Sequence, residues 1–369
     1  MKLTIGLDAK RIVRNGTGLG SYGRTLVNDL IRRGCEDIDL RLYAPDEGRE
    51  QLRSQIDVGQ HAQFCYPQGG GFKAFWRTYG IVDDLKRDGV QLYHGLSGEL
   101  PIGLRKAGIR SVVTIHDLIF LRRPEFYHWI DTKIYEWKFR QTIKEADCII
   151  AISERTKQDI IEYGNISPDR ISVVYQSYAP RFSTTVSAEQ KKEVQMRYHL
   201  PERFVLNVGT IERRKNLRLA VEAMNLLPKN IHLVAVGRQT KYVKELPLNE
   251  RIHLLSGVSD DDLAVVYSMA EAFVYPSRYE GFGIPIIEAI AAGLPVVACT
   301  GSCLEEAGGP ACLYVEPDDV EGMAEALLSV LQGAEGREER IRQSQQYIQR
   351  FKGGDVAGQV LDIYRSLIK

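Results

Sequence analysis

The fold class of this 369-residue chain is predicted from one stretch, Tyr275–Ala298, with the sequence YPSRYEGFGIPIIEAIAAGLPVVA. The apolar run Ala272–Tyr275 predicts a buried strand, and the two glycines of Arg278–Gly283 predict a loop. Pro285 is typical of a first helical turn, and a glycine ends the predicted helix before the strand Val296–Ala298. The order strand, loop, helix, strand is one turn of a βαβ unit.

Two carboxylates flank the loop of this unit. Glu280 precedes the Gly-Phe-Gly sequence, and Glu288 lies one turn into the predicted helix. The glycines let backbone N–H groups at the helix start face an anion, so a phosphate fits there. The spacing is equally consistent with a structural loop in which Glu288 is an ordinary surface acid.

An acid, Gly-Phe-Gly, four residues and a second acid form the pattern E-x7-E, and in this setting the stretch resembles the retaining glycosyltransferases of family 4. The resemblance implies that Glu280 holds hydroxyls of the donor sugar and that Glu288 holds the ribose of its nucleotide. It also implies donor contacts from the residues between them: Gly281, Phe282, Gly283 and Ile284.

Composition limits the function classes. Lys plus Arg equals Asp plus Glu at 48 each, so no global field favours nucleic acid, and duplex binding is not expected. The N-terminal MKLTIGLD enters a strand pattern without a leader, and no long apolar run is uninterrupted. Six cysteines form no C-x2-C pair. We therefore expect a soluble, cytoplasmic protein with reduced thiols.

Strands and helices alternate along the chain, which predicts parallel sheets covered on both faces. The first helix is predicted over Leu19–Ile31, ended by Gly34. The predicted strands are Leu3–Leu7, Leu40–Tyr43, Gln91–Tyr93, Ser111–Ile115, Cys148–Ile152, Ile171–Val174, Phe204–Val208, Ile231–Val236, Ile252–Leu255, Ala272–Tyr275, Val296–Ala298 and Cys312–Val315.

The pattern lapses in the polar stretch 176–190, the predicted linker between two doubly wound domains. The resemblance implies a GT-B fold with two Rossmann-like domains and an interdomain cleft. Residues 1–178 would form the acceptor-side domain and 179–354 the nucleotide-sugar donor domain, with a helix over 355–369 crossing back onto the first.

The Gly-rich loop Asn15–Gly23 precedes the first long helix. Gly18, Gly20 and Gly23 fit G-x-G-x-x-G, but Gly18 lies ten residues after the strand end near Asp8. A dinucleotide fingerprint needs the glycines directly after the strand. A Rossmann cofactor and a plain flexible loop are the alternatives. The resemblance implies a loop near the donor phosphate and the acceptor, with Gly18 in contact.

His116 follows the predicted strand Ser111–Ile115 and is itself followed by an acid, Asp117. A lone histidine at a strand end is often a satisfied structural group. The resemblance implies that His116 touches the transferred sugar. Ser153 follows another strand, and an N-cap explains it.

The sequence Gly209-Thr-Ile-Glu-Arg-Arg-Lys-Asn216 follows the first strand of the second domain. Three adjacent cations at a strand end are often a solvated turn. The resemblance implies that Arg214 and Lys215 stabilise a diphosphate leaving group, next to a donor contact at Gly209. Thr210 replaces the arginine that is common in the family, which leaves open whether Arg213 supplies charge. Asn216 is predicted as an N-cap.

Two D-x-D sequences are candidate metal sites: Asp37 with Asp39, and Asp260 with Asp262. The acids after Ser259 precede a helical run, so a helix cap explains them, and no metal is expected. The resemblance implies a backbone contact to the nucleotide base at Val258.

Aromatic and basic residues alternate in the stretch Pro124–Lys144. As a helix it is predicted to bury Trp129, Ile130, Ile134 and Trp137, and Phe126 as a further candidate, in a core. Attachment to a membrane or a lipid-linked acceptor is the alternative.

The resemblance implies a metal-independent retaining hexosyltransferase of the bacterial mannosyltransferase-like group. Its nucleotide-sugar donor, of GDP-mannose or UDP-glucose type, is a co-substrate, and no cofactor is expected. The acceptor would be a glycan or a lipid-linked glycan of surface polysaccharide synthesis, which is compatible with peripheral contact at the membrane. A nucleotide-sugar 2-epimerase and a non-catalytic sugar-nucleotide-binding protein of the same fold are the alternatives.

Overall fold

The computed structural model describes residues 2–33, 38–68, 73–351 and 355–368. Gly34, Cys35 and Asp37, which entered the sequence-based predictions, lie outside these ranges. The chain divides into two compact units, residues 1–175 with 355–369 and residues 176–354.

The first unit is built on a parallel sheet of order β3-β2-β1-β4-β5-β6-β7 among the described residues. Its strands are β1 Leu3–Asp8, β2 Ile38–Tyr43, β3 Ala62–Cys65, β4 Leu92–Gly95, β5 Arg110–Ile115, β6 Cys148–Ala151 and β7 Ile171–Val173. The six predicted strands are present. The edge strand β3 was missed because its four residues, AQFC, are only half-buried or exposed and show no apolar run.

Helices cover both faces of this sheet, and the apolar residues of its strands form two cores. The helices are α1 Lys10–Arg14, α2 Gly18–Arg32, α3 Glu50–Arg53, α4 Lys73–Phe75, α5 Ile81–Arg87, α6 Ile119–Arg122, α7 Trp129–Glu145 and α8 Glu154–Gly164. A π-helical turn, Trp76–Gly80, joins α4 to α5.

The second unit has a parallel sheet of order β10-β9-β8-β11-β12-β13. Its strands are β8 Phe204–Val208, β9 His232–Val236, β10 Ile252–Leu255, β11 Ala272–Tyr275, β12 Val296–Cys299 and β13 Leu313–Val315. Its helices are α9 Ala188–Tyr198, α10 Leu217–Ala223, α11 Asp260–Met269, α12 Ile284–Ala291, α13 Leu304–Gly308, α14 Val320–Leu328 and α15 Arg337–Tyr347.

The strand order reverses between β8 and β11. Ligands of open α/β sheets bind beyond the carboxyl ends of the strands at such a switch point. The loops that follow β8 and β11 are those of Arg214, Lys215 and Glu280, so the topology positions the predicted donor residues where a ligand is expected.

The polar stretch 176–190 is not irregular throughout. It contains a 3₁₀ turn, Pro180–Ser183, and the first residues of α9. Phe182 is buried, and its ring packs edge-on to Tyr267 with ring centroids 5.2 Å apart. The stretch predicted as a linker therefore contains regular structure, and the boundary between the two units falls at its start, between residues 175 and 176.

The last helix, α16 Val356–Ile368, belongs to the first unit. Its buried face enters one of the cores of that unit through Ala357, Val360, Leu361 and Tyr364.

The four residues of α7 that were predicted to enter a core are exposed, so that prediction was wrong. Trp129 is 70% exposed, Ile130 and Ile134 are 46% exposed, and Trp137 is 48% exposed. The helix packs on the unit through another face, with Phe139, Thr142 and Ile143 buried. Helical spacing indicates that residues share a face, but not what covers that face.

None of the helices in the described part of the chain combines the length and the apolar character needed to cross a bilayer. The five cysteines within the described residues are free thiols.

Candidate functional site

The turn Arg213–Lys215 follows β8 and is tied to the loop after β11. The backbone N–H of Arg278 donates to the carbonyl of Arg214 at 3.0 Å, and the Arg214 Nη1 donates to the carbonyl of Tyr279 at 2.7 Å. Both bonds hold Arg214 against the loop that carries Glu280.

Glu280 is buried between the two cations. Its Oε2 lies 3.0 Å from Arg214 Nη1, and its Oε1 lies 2.5 Å from Lys215 Nζ. Lys215 also donates to the Tyr275 hydroxyl at 2.8 Å, and Arg214 pairs with Glu212 at 2.8 Å. The sequence-predicted residues Arg214, Lys215 and Glu280 therefore form one cluster.

Electrostatics keep this cluster ionised. Burial alone would raise the pKa of the Glu280 carboxyl, but the charges of Lys215 and Arg214 outweigh it and hold the pKa at about 2. Burial opposes the charged forms of Lys215 and Arg214, yet the Glu280 carboxylate raises the pKa of both. Each ion is thus stabilised by its partners in a site with little solvent.

The Gly-Phe-Gly loop is shaped by packing behind it. Gly283 has φ 120°, a conformation that side chains rarely adopt, and a Cβ there would lie 3.2 Å from Leu304. Phe282 is buried, and its ring centroid lies 5.3 Å from that of Phe351. The Phe282 side chain is therefore part of the core, so its backbone is what the loop offers to a ligand next to Ile284, where α12 begins.

The thiol of Cys303 is hydrogen-bonded to the backbone of the Gly-Phe-Gly loop. It donates to the carbonyls of Glu280 and Phe282, at 3.1 and 2.9 Å. Gly209, after β8, has φ 153° and lies beside Lys215, whose Cδ and Cε would be 3.9 Å from a Cβ at that glycine.

Glu288, on α12, is bound by a tyrosine that is not part of this cluster. The Tyr267 hydroxyl donates to its Oε2 at 3.2 Å. Burial raises the pKa of Glu288 to about 7, while the Tyr267 hydrogen bond acts in the opposite direction. Further hydroxyl groups that donate hydrogen bonds to Glu288 would lower this pKa, because hydrogen bonds to the charged form of a carboxyl favour ionisation.

Asn216 precedes α10, but it does not cap that helix. Its φ is 53°, and no side-chain cap hydrogen bond is formed. Its Nδ2 instead donates to the carbonyl of Pro317 at 2.8 Å. The N-cap prediction was wrong in its chemistry, because the side chain is used to hold a distant loop.

The acids after Ser259 are explained as helix-start residues. The Ser259 hydroxyl accepts from the N–H of Asp262, and the Asp262 carboxylate pairs with Arg197 at 2.8 Å. Asp260 and Asp261 lie 3.5 and 3.2 Å from Arg181. Among the described residues no group of three or more His, Cys, Asp or Glu could hold a metal ion. Half-buried Val258 immediately precedes this cap.

In the first unit, His116 lies just beyond β5. Its Nε2 is 2.9 Å from the carbonyl of Leu96 and must therefore donate, which fixes the tautomer. Burial lowers the pKa of His116 to about 4, so the ring is neutral near pH 7. The Tyr22 ring stands edge-on to it, with centroids 4.8 Å apart.

Gly18 is the first residue of α2, and a Cβ there would meet no atom within 4 Å. The next glycine of the loop differs, because a Cβ at Gly20 would lie 1.8 Å from the carbonyl oxygen of Asn15. The helix α1 also separates this loop from β1. Close packing thus explains Gly20 without a dinucleotide.

Three tyrosines that contact these residues were missed from sequence: Tyr22, Tyr267 and Tyr275. Tyr275 ends a buried strand, a position that could have drawn attention to it. The partners of Glu288 and His116 are long-range in the chain and give no local signal.

The sequence of the chain matches known glycosyltransferases over most of its length. A family model for glycosyltransferase family 4 matches residues 16–178, and one for glycosyl transferases group 1 matches residues 189–347. The O-antigen chain mannosyltransferase B of Escherichia coli is 30% identical over 292 residues, which cover 75% of this chain and 74% of that protein. This chain belongs to glycosyltransferase family 4.

Solved structures show the same fold for this glycosyltransferase. Sucrose-phosphate synthase from Thermosynechococcus elongatus has a TM-score of 0.80 at 22% identity, over 99% of both chains. Anabaena HepE, determined in complex with UDP-glucose, has a TM-score of 0.75 at 17% identity, over 100% of both chains. The predicted GT-B fold is confirmed.

Proposed function

We propose that this glycosyltransferase moves a hexose from a nucleotide-sugar donor to a glycan or lipid-linked acceptor of surface polysaccharide, with retention of configuration. The observation that carries the proposal is the buried cluster of Arg214, Lys215 and Glu280 beside the start of α12. Two cations and a helix N-terminus suit a diphosphate, and a carboxylate suits sugar hydroxyls.

The donor is assigned to the second unit. Lys215, Arg214 and the backbone near Ile284 would bind the diphosphate, Glu280 the hexose and Glu288 the ribose. Further contacts would come from Gly209, Val258, Gly281, Phe282 and Gly283. Mannose as the transferred hexose is supported by the Escherichia coli mannosyltransferase, and a donor of UDP-glucose type by the ligand of HepE.

In the proposed reaction, the bond from the sugar anomeric carbon to the diphosphate oxygen breaks. Arg214 and Lys215 stabilise the negative charge that grows on the departing diphosphate, which is the kind of contribution that often dominates catalysis. No nucleophilic role is proposed for Glu280, whose two oxygens pair with Arg214 and Lys215 in the protein without donor. The acceptor hydroxyl would attack on the face from which the diphosphate leaves, and a diphosphate oxygen would take its proton.

No metal enters this proposal. The acids of Asp260–Asp262 are accounted for by a helix start and by arginine partners, and the diphosphate charge is met by Arg214 and Lys215. In the first unit, His116 and Gly18 are proposed to contact the transferred sugar and the acceptor side.

A panel of nucleotide sugars tests the donor. Thermal unfolding is recorded with GDP-mannose, UDP-glucose and ADP-glucose, since a ligand at 100 times its dissociation constant adds about 2.7 kcal/mol of stability. Product NMR with the stabilising donor then reports the anomeric configuration. Donor isomerisation without an acceptor would point to a 2-epimerase, and binding without turnover to a non-catalytic protein.

We further propose that the exposed face of α7 contacts the membrane surface. Ile130, Ile134 and Trp137 recur at helical spacing on this face, and Trp129 precedes them. Lys133 and Arg140 are largely exposed on the same helix, where they share Glu136 as ion partner. An apolar stripe flanked by cations suits an interface with anionic lipid headgroups.

Vesicle sedimentation tests this surface. Ile134→Ser with Trp137→Ser should reduce binding to vesicles that contain phosphatidylglycerol, whereas Met196→Ser, at an exposed apolar residue of α9, should not. Equal binding of all three proteins would contradict the proposal. Self-association that the α7 variant abolishes would instead assign the face to a second copy of the chain.

A further inference from the structure

A chain of buried polar groups runs through the first unit from the last helix to the carboxyl end of the sheet. The Tyr364 hydroxyl on α16 lies 2.6 Å from His94 Nδ1, and His94 Nε2 lies 2.8 Å from Thr114 Oγ1. Thr114 Oγ1 lies 3.2 Å from the Tyr22 hydroxyl on α2. Four side chains from four different elements are thereby joined.

This series of hydrogen-bonded side chains lies in the interior of the first unit. Tyr364, His94 and Thr114 have no exposed surface. A neutral imidazole has one donor and one acceptor nitrogen. The hydroxyls of Tyr364 and Thr114 must therefore take opposite parts toward His94, one donating to the ring and the other accepting from it. Hydrogen bonds in series polarise one another, so we expect a change at one end of this series to reach the other end.

The far end of the chain reaches the predicted acceptor-side residues. Tyr22 presents its ring edge-on to His116, and it lies one turn after Gly18 in α2. Tyr22 contacts both Thr114 on β5 and His116 just beyond that strand, the first through its hydroxyl and the second through its ring. The ring of His116 thus rests on a tyrosine whose hydroxyl is held by Thr114.

We propose that Tyr364 and His94 are positioning residues that orient Tyr22, and through it the ring of His116. The C-terminal helix then contributes to the sugar-contacting side of the first unit without touching a substrate. This inference rests on the proposed function only where it assigns a sugar contact to His116; the coupling between the side chains does not depend on it.

The coupling is measured by NMR of protein labelled with ¹⁵N-histidine, in which His116→Gln and His94→Gln assign the two rings. Tyr364→Phe removes the hydroxyl at one end, and Tyr22→Phe removes it at the other. Tyr364→Phe should shift the imidazole signals of His116, and Tyr22→Phe should shift those of His94. Tyr22→Phe lies at the less buried end and serves if Tyr364→Phe fails to fold.

Tyr43→Phe is the matched control. Tyr43 is a buried tyrosine of the same unit, and its hydroxyl donates to Asp88 Oδ2 at 2.7 Å, outside this chain of bonds. It should cost stability as Tyr364→Phe does, yet leave the His116 signals in place. Unchanged His116 signals in Tyr364→Phe, or equal shifts in Tyr43→Phe, would overturn the proposal.

Kinetics add a second measurement. Tyr364→Phe should lower kcat by about tenfold with little change in the KM for the donor, because the loss is one of orientation. Combined with Tyr22→Phe, the loss should be smaller than the product of the two single losses, as expected for coupled positions. Independent, multiplicative losses would contradict the proposal. If the wild-type protein transfers no sugar, the proposed function fails while the NMR result still decides the coupling.

Discussion

Removal of the Glu280 carboxylate tests its proposed contact with the donor sugar and distinguishes that contact from its effects on diphosphate binding and on stability. Both of its oxygens hold cations, Arg214 at 3.0 Å and Lys215 at 2.5 Å. A hydrogen bond to a charged group is worth roughly 1.5 to 3 kcal/mol, which corresponds to about 10- to 100-fold in rate. If Glu280 holds the hexose, Glu280→Ala should lower transfer by at least that factor.

The same change should not weaken the free nucleoside diphosphate. Without Glu280, Arg214 and Lys215 lose their shared counter-ion, so an incoming diphosphate meets cations that are less neutralised. Titration calorimetry with GDP and UDP measures this directly. A Kd that rises in parallel with the loss of transfer would refute the assignment of Glu280 to the sugar.

Stability should fall in the same variant. The pKa of Glu280 lies at about 2 instead of an ordinary 4.5, which at 1.36 kcal/mol per pH unit is worth ~3 kcal/mol. Because this pKa is depressed, the stabilisation is present above about pH 4.5 and is lost as the pH falls toward 2. Glu280→Ala should unfold at a lower temperature at pH 7 and show less acid sensitivity in this window.

Glu212→Ala is the matched control for these measurements. The Glu212 carboxylate also pairs with Arg214, at 2.8 Å, whereas the bond from Glu212 to Lys215 is made by the backbone carbonyl, which Glu212→Ala keeps. It should leave transfer within a few-fold of wild type. An equal loss in both variants would mean that the charge balance of Arg214, and not a sugar contact, limits the rate.

Three further predictions concern neighbouring groups. Arg214→Ala and Lys215→Ala should lower kcat more than they weaken donor binding, because the diphosphate charge grows as the bond breaks; equal losses in both would count against this. Since burial raises the pKa of Glu288 to about 7, wild-type stability relative to Glu288→Gln should fall between about pH 4.5 and 7, and nucleoside diphosphate binding should strengthen as the pH rises through 7. Melting curves and calorimetry at pH 5, 6, 7 and 8 check this, and a flat difference would contradict it. Transfer should survive EDTA, and a loss that Mg²⁺ or Mn²⁺ restores would show that a metal is needed.

The neighbourhood of Arg214, Lys215 and Glu280 could be predicted because it follows from topology. Each follows a strand, the two strands are neighbours in the sheet, and parallel strands place their carboxyl ends at one edge. The alternation of apolar and helical segments was sufficient to find twelve of the strands. The edge strand β3 gave no such signal, since it has little apolar surface to bury.

Two errors have a common physical cause, which is that sequence patterns report local geometry and not partners. Ile130, Ile134 and Trp137 do share a helix face, but the unit packs on Phe139 and Ile143 instead. Asn216 does precede a helix, but its amide binds the carbonyl of Pro317, 101 residues further on. Both outcomes were set by tertiary contacts.

The charges around Arg214, Lys215 and Glu280 link the proposed recognition of phosphate to that of sugar. Glu212, Arg214, Lys215 and Glu280 carry two positive and two negative charges, so they present no net charge to a donor. A diphosphate that engages Arg214 and Lys215 must therefore compete with Glu280 for them. If Glu280 binds the hexose as proposed, the carboxylate so released accepts hydrogen bonds from sugar hydroxyls beside the same phosphates. A nucleotide without its sugar would leave that carboxylate unsatisfied in a buried site, at a cost that the complete donor avoids. On this proposal, discrimination between the donor and the free nucleotide depends on one buried carboxylate, Glu280, that must always have a partner.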